Sequence, residues 1–343
     1  MTAARHAQVL VVGAGQAGLA AGYHLRRAGL DFAILDANPA PGGAWQHYWD
    51  TLRLFSPAGY SSLPGRPMPQ QPGQEYPDAA HVVAYLTDYE KRYDLPIHRP
   101  VRVEAVTRDA DGITVTTDDG TWRGGALVLA TGNWERPFIP AVPGRADFTG
   151  RQLHTHAYRS AADFTGQRVV VVGGANSGAQ IAADLHATAE VHWVTRRPAR
   201  HLPDEIDGRA LFDLATRRVQ SGGPRISDLG DIVAVPPVRA ARAAGLTDRP
   251  MFDRLTPTGV AWADGTTWDC DTVIWCTGFR PDLPPIDLPR TDGRITTDGT
   301  RSTEDPRIHL LGYGDWAGPA SATLIGVGRT ARTAVEQLRA QLG

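Results

Sequence analysis

The sequence predicts an α/β protein with two Rossmann-like dinucleotide-binding units, the second inserted into the first. Three observations carry this. A glycine fingerprint follows the apolar run Val9–Val12, and the pattern recurs after Val169–Val172. Each copy is later closed by an Asp-Gly-Thr turn and an apolar strand ending in Thr-Gly. Strands alternating with helices in this way build a parallel sheet.

In the first copy, Val9, Leu10, Val11 and Val12 read as a fully buried strand. The glycines then open a helix through Leu19 to Arg27, and Gly29 supplies its stop. The spacing is G-x-G-x-x-G. Gly13 makes the tight turn, Gly15 lets the backbone approach a pyrophosphate, and Gly18 lets helix and strand pack closely. The helix N-terminus presents unpaired N–H groups to the phosphates. A second strand, Phe32–Leu35, ends in Asp36, whose carboxylate can accept hydrogen bonds from ribose hydroxyls.

Gly42, Gly43, Ala44 and Trp45 begin a segment to Pro77 that is rich in Pro, Gly and aromatics. Its aromatic content predicts an ordered loop lying against a flat cofactor and walling a substrate pocket. Asp78 caps a helix from Ala79 to about Tyr93. Strands follow at Val101–Val106 and Ile113–Thr117, then Asp119-Gly120 leads to Trp122. The buried run Ala126–Leu129 closes the unit with Ala130, Thr131 and Gly132.

The second copy reads Val169 to Val172, Gly173, Gly174, Ala175, Asn176, Ser177, Gly178. Ala175 stands where the middle glycine belongs, and its methyl pushes a pyrophosphate slightly outward. Asp264-Gly265-Thr266 and Val273–Cys276, with Thr277 and Gly278, repeat the closing strand. Asp36 lies 23 residues after Gly13, and Arg196 lies 23 residues after Gly173. A carboxylate suits a free ribose 2′-hydroxyl, whereas the guanidinium of Arg196, with Arg197 beside it, suits a 2′-phosphate. The first site is therefore expected to take FAD and the second NADPH. Between Pro203 and Pro257 the chain is less regular, with a helix expected near Ala210–Val219.

Composition narrows the class. Charged residues make up 21% and the net charge is −2, which leaves no basic footprint for nucleic acid. Met1–Gln8 is too polar for a signal peptide, and no apolar run reaches membrane-spanning length. The two cysteines, Cys270 and Cys276, lie in one strand-like run and read as small packed hydrophobes. A cytoplasmic enzyme with no metal site, no membrane and no nucleic-acid partner is expected. A homodimer is left open.

These motifs resemble the class B flavin-dependent monooxygenases, specifically the small bacterial flavin-containing monooxygenases. The signature F-x-G-x-x-x-H-x-x-x-Y stands as Phe148, Gly150, His154 and Tyr158, between the two fingerprints. Gly42–Trp45, Ala130–Gly132, Cys276–Phe279 and Gly312–Trp316 match as well. The resemblance implies a thioredoxin-reductase-like plan, with an FAD domain at 1–158 and 282–343 and an NADPH domain at 159–281. It implies that Asp315 holds the FAD ribityl chain and that a helix near Ala322-Thr323 faces the flavin pyrimidine. It implies that NADPH reduces the flavin and that a C4a-(hydro)peroxyflavin delivers one atom of O2 to a sulfide, an amine or a ketone. His154 reads as a linker residue coupling NADPH binding to domain arrangement. One departure stands out: where larger members carry an Asn beside the flavin, this chain reads Leu54-Phe55-Ser56-Pro57. An NADPH oxidase producing H2O2 and a non-catalytic flavin-binding protein are the alternatives. A dithiol reductase would need a C-x-x-C, which the sequence lacks.

Overall fold

The computed structural model describes residues 4–211, 232–318 and 320–343, without the side chain of Asp315. The stretch 212–219 of the helix expected near Ala210–Val219 lies outside the described residues.

Among the described residues the first sheet has nine strands. Its parallel part runs β19 (Ile308–Leu310), β6 (Gly120–Leu129), β1 (Arg5–Val12), β2 (Phe32–Leu35) and β3 (Ile97–His98). Val9 pairs with Phe32 on one side and Ala126 on the other. An antiparallel meander, β4 (Val103–Asp109) and β5 (Gly112–Thr117), pairs onto the first half of β6. At the far edge, β17 (Thr297–Asp298) and β18 (Arg301–Ser302) fold back on β19.

Period-2 alternation sorts this sheet's side chains into two cores. Val9, Val11, Ile34, Ala126 and Val128 pack against three helices: α1 (Gln16–Ala28), α2 (Ala79–Arg92) and α5 (Leu324–Leu342). Leu10, Val12, Leu35, Leu127 and Leu129 pack under the meander, against Val106, Ile113 and Val115. Burial on both faces explains why these strands read as continuous apolar runs.

The second sheet is wholly parallel. Its order is β10 (Asp248–Pro250), β9 (Glu190–Thr195), β8 (Arg168–Val172), β14 (Thr272–Trp275), β7 (Arg151–His154). Val169 and Val171 face the helices α3 (Asn176–Leu185) and α4 (Pro236–Ala243). Val170 and Val172 face a small antiparallel sheet of β11 (Arg254–Leu255), β12 (Gly259–Ala261) and β13 (Thr267–Asp269). A hairpin of β15 (Arg290–Thr291) and β16 (Arg294–Ile295) completes the described strands.

Two observations bear on the sequence division at residue 158. The strand β7, placed with the first unit by that division, pairs with β14 in the second sheet. Conversely Trp49 and Leu52, from the aromatic loop of the first unit, are buried in the core around α3. The Gln180 amide on α3 clasps the Arg53 backbone, accepting from its N–H at 3.0 Å and donating to its carbonyl at 3.1 Å.

Candidate functional site

The two fingerprints superimpose in their steric logic. A Cβ on Gly13 would lie 2.6 Å from the Ala130 carbonyl oxygen, and one on Gly173 would lie 2.3 Å from that of Cys276. A Cβ on Gly18 would meet the Gly13 carbonyl oxygen at 1.8 Å, and one on Gly178 would meet that of Gly173 at 2.1 Å. Gly13 and Gly173 also have positive φ, +98° and +140°. Protein packing thus demands four of the glycines. It does not demand Gly15, whose added Cβ would touch nothing nearer than the Gly43 Cα at 4.0 Å. That space is left for a ligand.

The helix termini agree. Asp78 caps α2 and Thr323 caps α5, each with a side-chain oxygen. The fingerprint helices α1 and α3 begin at Gly15 and Ala175 with no side-chain cap and no acidic residue in the first turn. Their first N–H groups remain available to an anion.

A cavity of about 280 Å³ opens over the first fingerprint. Gly13, Gly15, Asp36, Gly43, Trp45, Ala130, Thr131, Gly132 and Ala322, all singled out in the sequence, line it together. Gly18 stands behind Gly13, and Thr323 caps α5 at the cavity's edge. Gly43 has φ +53°, and a Cβ there would strike the Gly15 Cα at 2.7 Å, so the aromatic loop presses directly on the fingerprint turn. Thr131 holds the floor through its hydroxyl, 2.7 Å from that of Tyr313. The side chain of Asp315, in the turn Gly314–Ala317, lies outside the described residues.

Several lining residues carry no sequence signature. Gln16 accepts from Trp45 Nε1 at 2.9 Å and donates to the Ala322 carbonyl at 2.7 Å, tying α1, the aromatic loop and the start of α5 into one wall. Asn38 donates to Asp36 Oδ1 at 3.1 Å and sits 3.3 Å from His47 Nε2. Toward the second sheet the wall is aromatic. Tyr48 lies 4.6 Å from Trp134 and 5.3 Å from Trp45, and Trp134 stacks on Phe279 at 5.2 Å. Burial pushes the Tyr48 hydroxyl up to about 12, so it stays a protonated donor at neutral pH.

The second fingerprint forms a more open shelf. Asn176 spends its side-chain oxygen on the Val233 N–H at 2.9 Å, and Ser177 follows it on α3. Arg196 and Arg197 are exposed just past β9, and among the described residues neither has an ion-pair partner. Thr277 and Gly278 follow the end of β14, with the Thr277 hydroxyl donating to the Phe138 carbonyl. Cys276 is buried, and burial holds the thiols of Cys270 and Cys276 up at about 12, which makes both inert.

The four signature residues act as fasteners around this shelf. Phe148 is buried in the second sheet's core, and a Cβ on Gly150 would lie 2.6 Å from the Asp271 carbonyl oxygen. His154 Nε2 donates to the Gly278 carbonyl at 2.9 Å, while its Nδ1 accepts from the His156 N–H at 3.1 Å. The Tyr158 hydroxyl donates to Asp184 Oδ2 at 2.6 Å, reaching α3. Burial lowers the pKa of His154 below the ordinary histidine value. Both ring nitrogens are engaged, one donating and one accepting, which is the pattern of a neutral imidazole.

Two sheets, each with a parallel core and a glycine-opened helix that lacks a side-chain cap, give the plan of a two-dinucleotide oxidoreductase, and a cavity partly lined by aromatics opens over the first. Residues 10–208 match the family model described as pyridine nucleotide-disulphide oxidoreductase. An uncharacterized CzcO-like oxidoreductase of Geobacillus kaustophilus is 32% identical, with 82% of this chain and 83% of that protein aligned. The flavin-containing monooxygenase from Stenotrophomonas maltophilia is 47% identical by structure, with a TM-score of 0.91 over 99% of this chain and 100% of that one. A probable indole-3-pyruvate monooxygenase of Arabidopsis thaliana is 27% identical over 87% of this chain and 81% of its own length. The chain belongs to the pyridine nucleotide-disulphide oxidoreductase family, among its flavin-monooxygenase-like enzymes, flavoproteins that use FAD and NADPH. No helix among the described residues is long and apolar enough to cross a membrane.

Proposed function

We propose that the protein is a monooxygenase that oxidises NADPH and transfers one atom of O2 to a small soft nucleophile, a sulfide or an amine, or to a ketone. The first sheet is its FAD domain and the second its NADPH domain. A bound flavin would supply the hydride acceptor for NADPH and the means of activating O2, with one oxygen passing to the substrate and the other leaving as water. The residues supply position and dryness. Asp36 faces the ribose, and the uncapped start of α1 faces the pyrophosphate. The start of α5 favours the negative charge of a reduced flavin. Trp45, Tyr48 and Trp134 keep water from the face toward the second sheet. His154 and Tyr158 fix how that sheet meets the cavity.

The observation that carries this reading is the aromatic wall of Trp45, Tyr48, Trp134 and Phe279, which runs from the first fingerprint's cavity to the end of the second sheet. A second reading, an NADPH oxidase releasing H2O2, is favoured by one observation. Ser56, at the place of the family's Asn, sits 3.3 Å from the Ser61 hydroxyl and does not line the cavity. Product analysis separates the two. With a thioether in air, a monooxygenase forms about one sulfoxide per NADPH. Peroxide equal to NADPH consumed with every substrate tried would establish the oxidase, and no NADPH consumption would leave only a flavin-binding protein.

A further inference from the structure

Behind the cavity, Asp36 belongs to a buried network whose other members appear in no motif. Asp36 is 3% exposed at the end of β2. Its backbone is pinned: the N–H donates to the His98 carbonyl at 3.0 Å, and the carbonyl accepts from the Val101 N–H at 2.8 Å. Its carboxylate is held separately. Arg99 Nε donates to Oδ2 at 2.9 Å, and Asn38 donates to Oδ1 at 3.1 Å. The two terminal nitrogens of Arg99 are both committed to Glu90 on α2, at 2.9 and 2.8 Å. The Arg99, Glu90 and Asp36 side chains are 11%, 10% and 4% exposed. Burial opposes charge on Arg99, but its hydrogen bonds to both carboxylates outweigh it and raise its pKa.

We propose that Arg99, clamped by Glu90, is a positioning residue for cofactor binding that holds the Asp36 carboxylate facing the adenosine ribose. The inference rests on the ribose role given to Asp36 above. A guanidinium is a planar fork. With two prongs fixed on Glu90, its Nε edge has one direction left, so α2 dictates the plane of the Asp36 carboxylate. Each carboxylate oxygen keeps a second lone pair, and those are the acceptors offered to the 2′-hydroxyl. A lysine would keep the charge but not the direction.

The test compares release of two flavins from the holoenzyme, followed by the rise in flavin fluorescence after dilution. One is FAD, and the other is an FAD analogue lacking the adenosine 2′-hydroxyl. A hydrogen bond to a charged acceptor should make the unmutated protein release the deoxy analogue roughly tenfold faster than FAD. In Arg99→Lys that ratio should fall below about threefold, while FAD itself leaves about tenfold faster. A second variant, Arg99→Met with Glu90→Leu, replaces that pair by apolar groups, so that Glu90 is not left as an uncompensated charge on α2, while Asp36 keeps its bond from Asn38. It should lose the discrimination in the same way. Because each ratio is taken within one protein, general loosening of the fold cancels. If both variants release both flavins faster by one common factor, the role is structural and the inference is overturned. If the unmutated protein does not distinguish the two flavins, the ribose role of Asp36 falls first and the inference with it.

Discussion

At the scale of single residues, the contrast between Asp36 and Arg196 is what should decide which nucleotide each unit takes. Asp36 is buried, fastened and lines a cavity, whereas Arg196 and Arg197 are exposed just past β9, with no ion-pair partner among the described residues. Exposed guanidinium groups are screened by water and salt, so each contact to a 2′-phosphate falls at the low end of charge-assisted bonds. The pair should still favour NADPH over NADH by roughly ten- to seventyfold in kcat/KM. Replacing Arg196 by Gln and Arg197 by His should raise KM for NADPH and leave NADH almost untouched, by steady-state kinetics with both coenzymes. Equal losses with both would refute a 2′-phosphate contact. Residues with a local sequence signature were legible here: the fingerprint glycines, Asp36, Gly43, Trp45 and the Thr131-Gly132 turn. Gln16, Asn38 and Arg99 were not, because their partners lie far along the chain and a hydrogen bond between distant segments leaves no spacing to read.

At the scale of elements, the capped helix α2 and the fully apolar strands were legible, since periodicity and capping are local properties, whereas the start of α5 came from the resemblance alone. The strand β6 was harder. Gly124 and Gly125 look like a break between Trp122 and Ala126, yet one strand runs through Gly120–Leu129. Its first half pairs with β5 and its second with β19, so a single strand serves two kinds of sheet. The space at Gly124 is taken by Leu10, whose Cγ would lie 3.0 Å from an added Cβ. The aromatic loop was expected to be ordered, but not to be shared. Its attachment to α3 through Gln180 predicts that Gln180→Ala lowers stability by about 1–3 kcal/mol, because the half-buried N–H and carbonyl of Arg53 lose their partner. Urea unfolding measures this. A loss below about 0.5 kcal/mol would mean that other groups or water take over both bonds.

For the whole molecule, the histidines set a pH dependence. His24, His47, His98, His154, His192, His201 and His309 all have pKa values lowered, in each case first by burial. A folded state that refuses protons which the unfolded chain binds loses stability as pH falls below the unfolded value of about 6.5. His309 is fully buried in β19, with Nδ1 3.0 Å from the Thr300 hydroxyl and Nε2 unpartnered, and titrates at about 4. It alone should remove about 2 kcal/mol by pH 5. Stability by urea unfolding should therefore be flat between about pH 7 and 8 and decline toward pH 4, and His309→Leu should flatten part of that decline. A stability unchanged between pH 7.5 and 5 would contradict this account.

The loop shared between the two cores also decides what can be exchanged between relatives. Trp49 and Leu52 arrive from early in the chain, yet they complete the packing around α3, and Trp49 meets Tyr158 edge-on at 5.9 Å. The nucleotide module is therefore not a self-contained cassette, although its strands form an unbroken sheet. A chimera that borrows β7 through β14 from a relative would inherit a socket without its plug. The natural graft has two parts, the inserted segment and the aromatic loop taken from the same donor. The second fingerprint and the aromatic wall of the cavity over the first would then travel together.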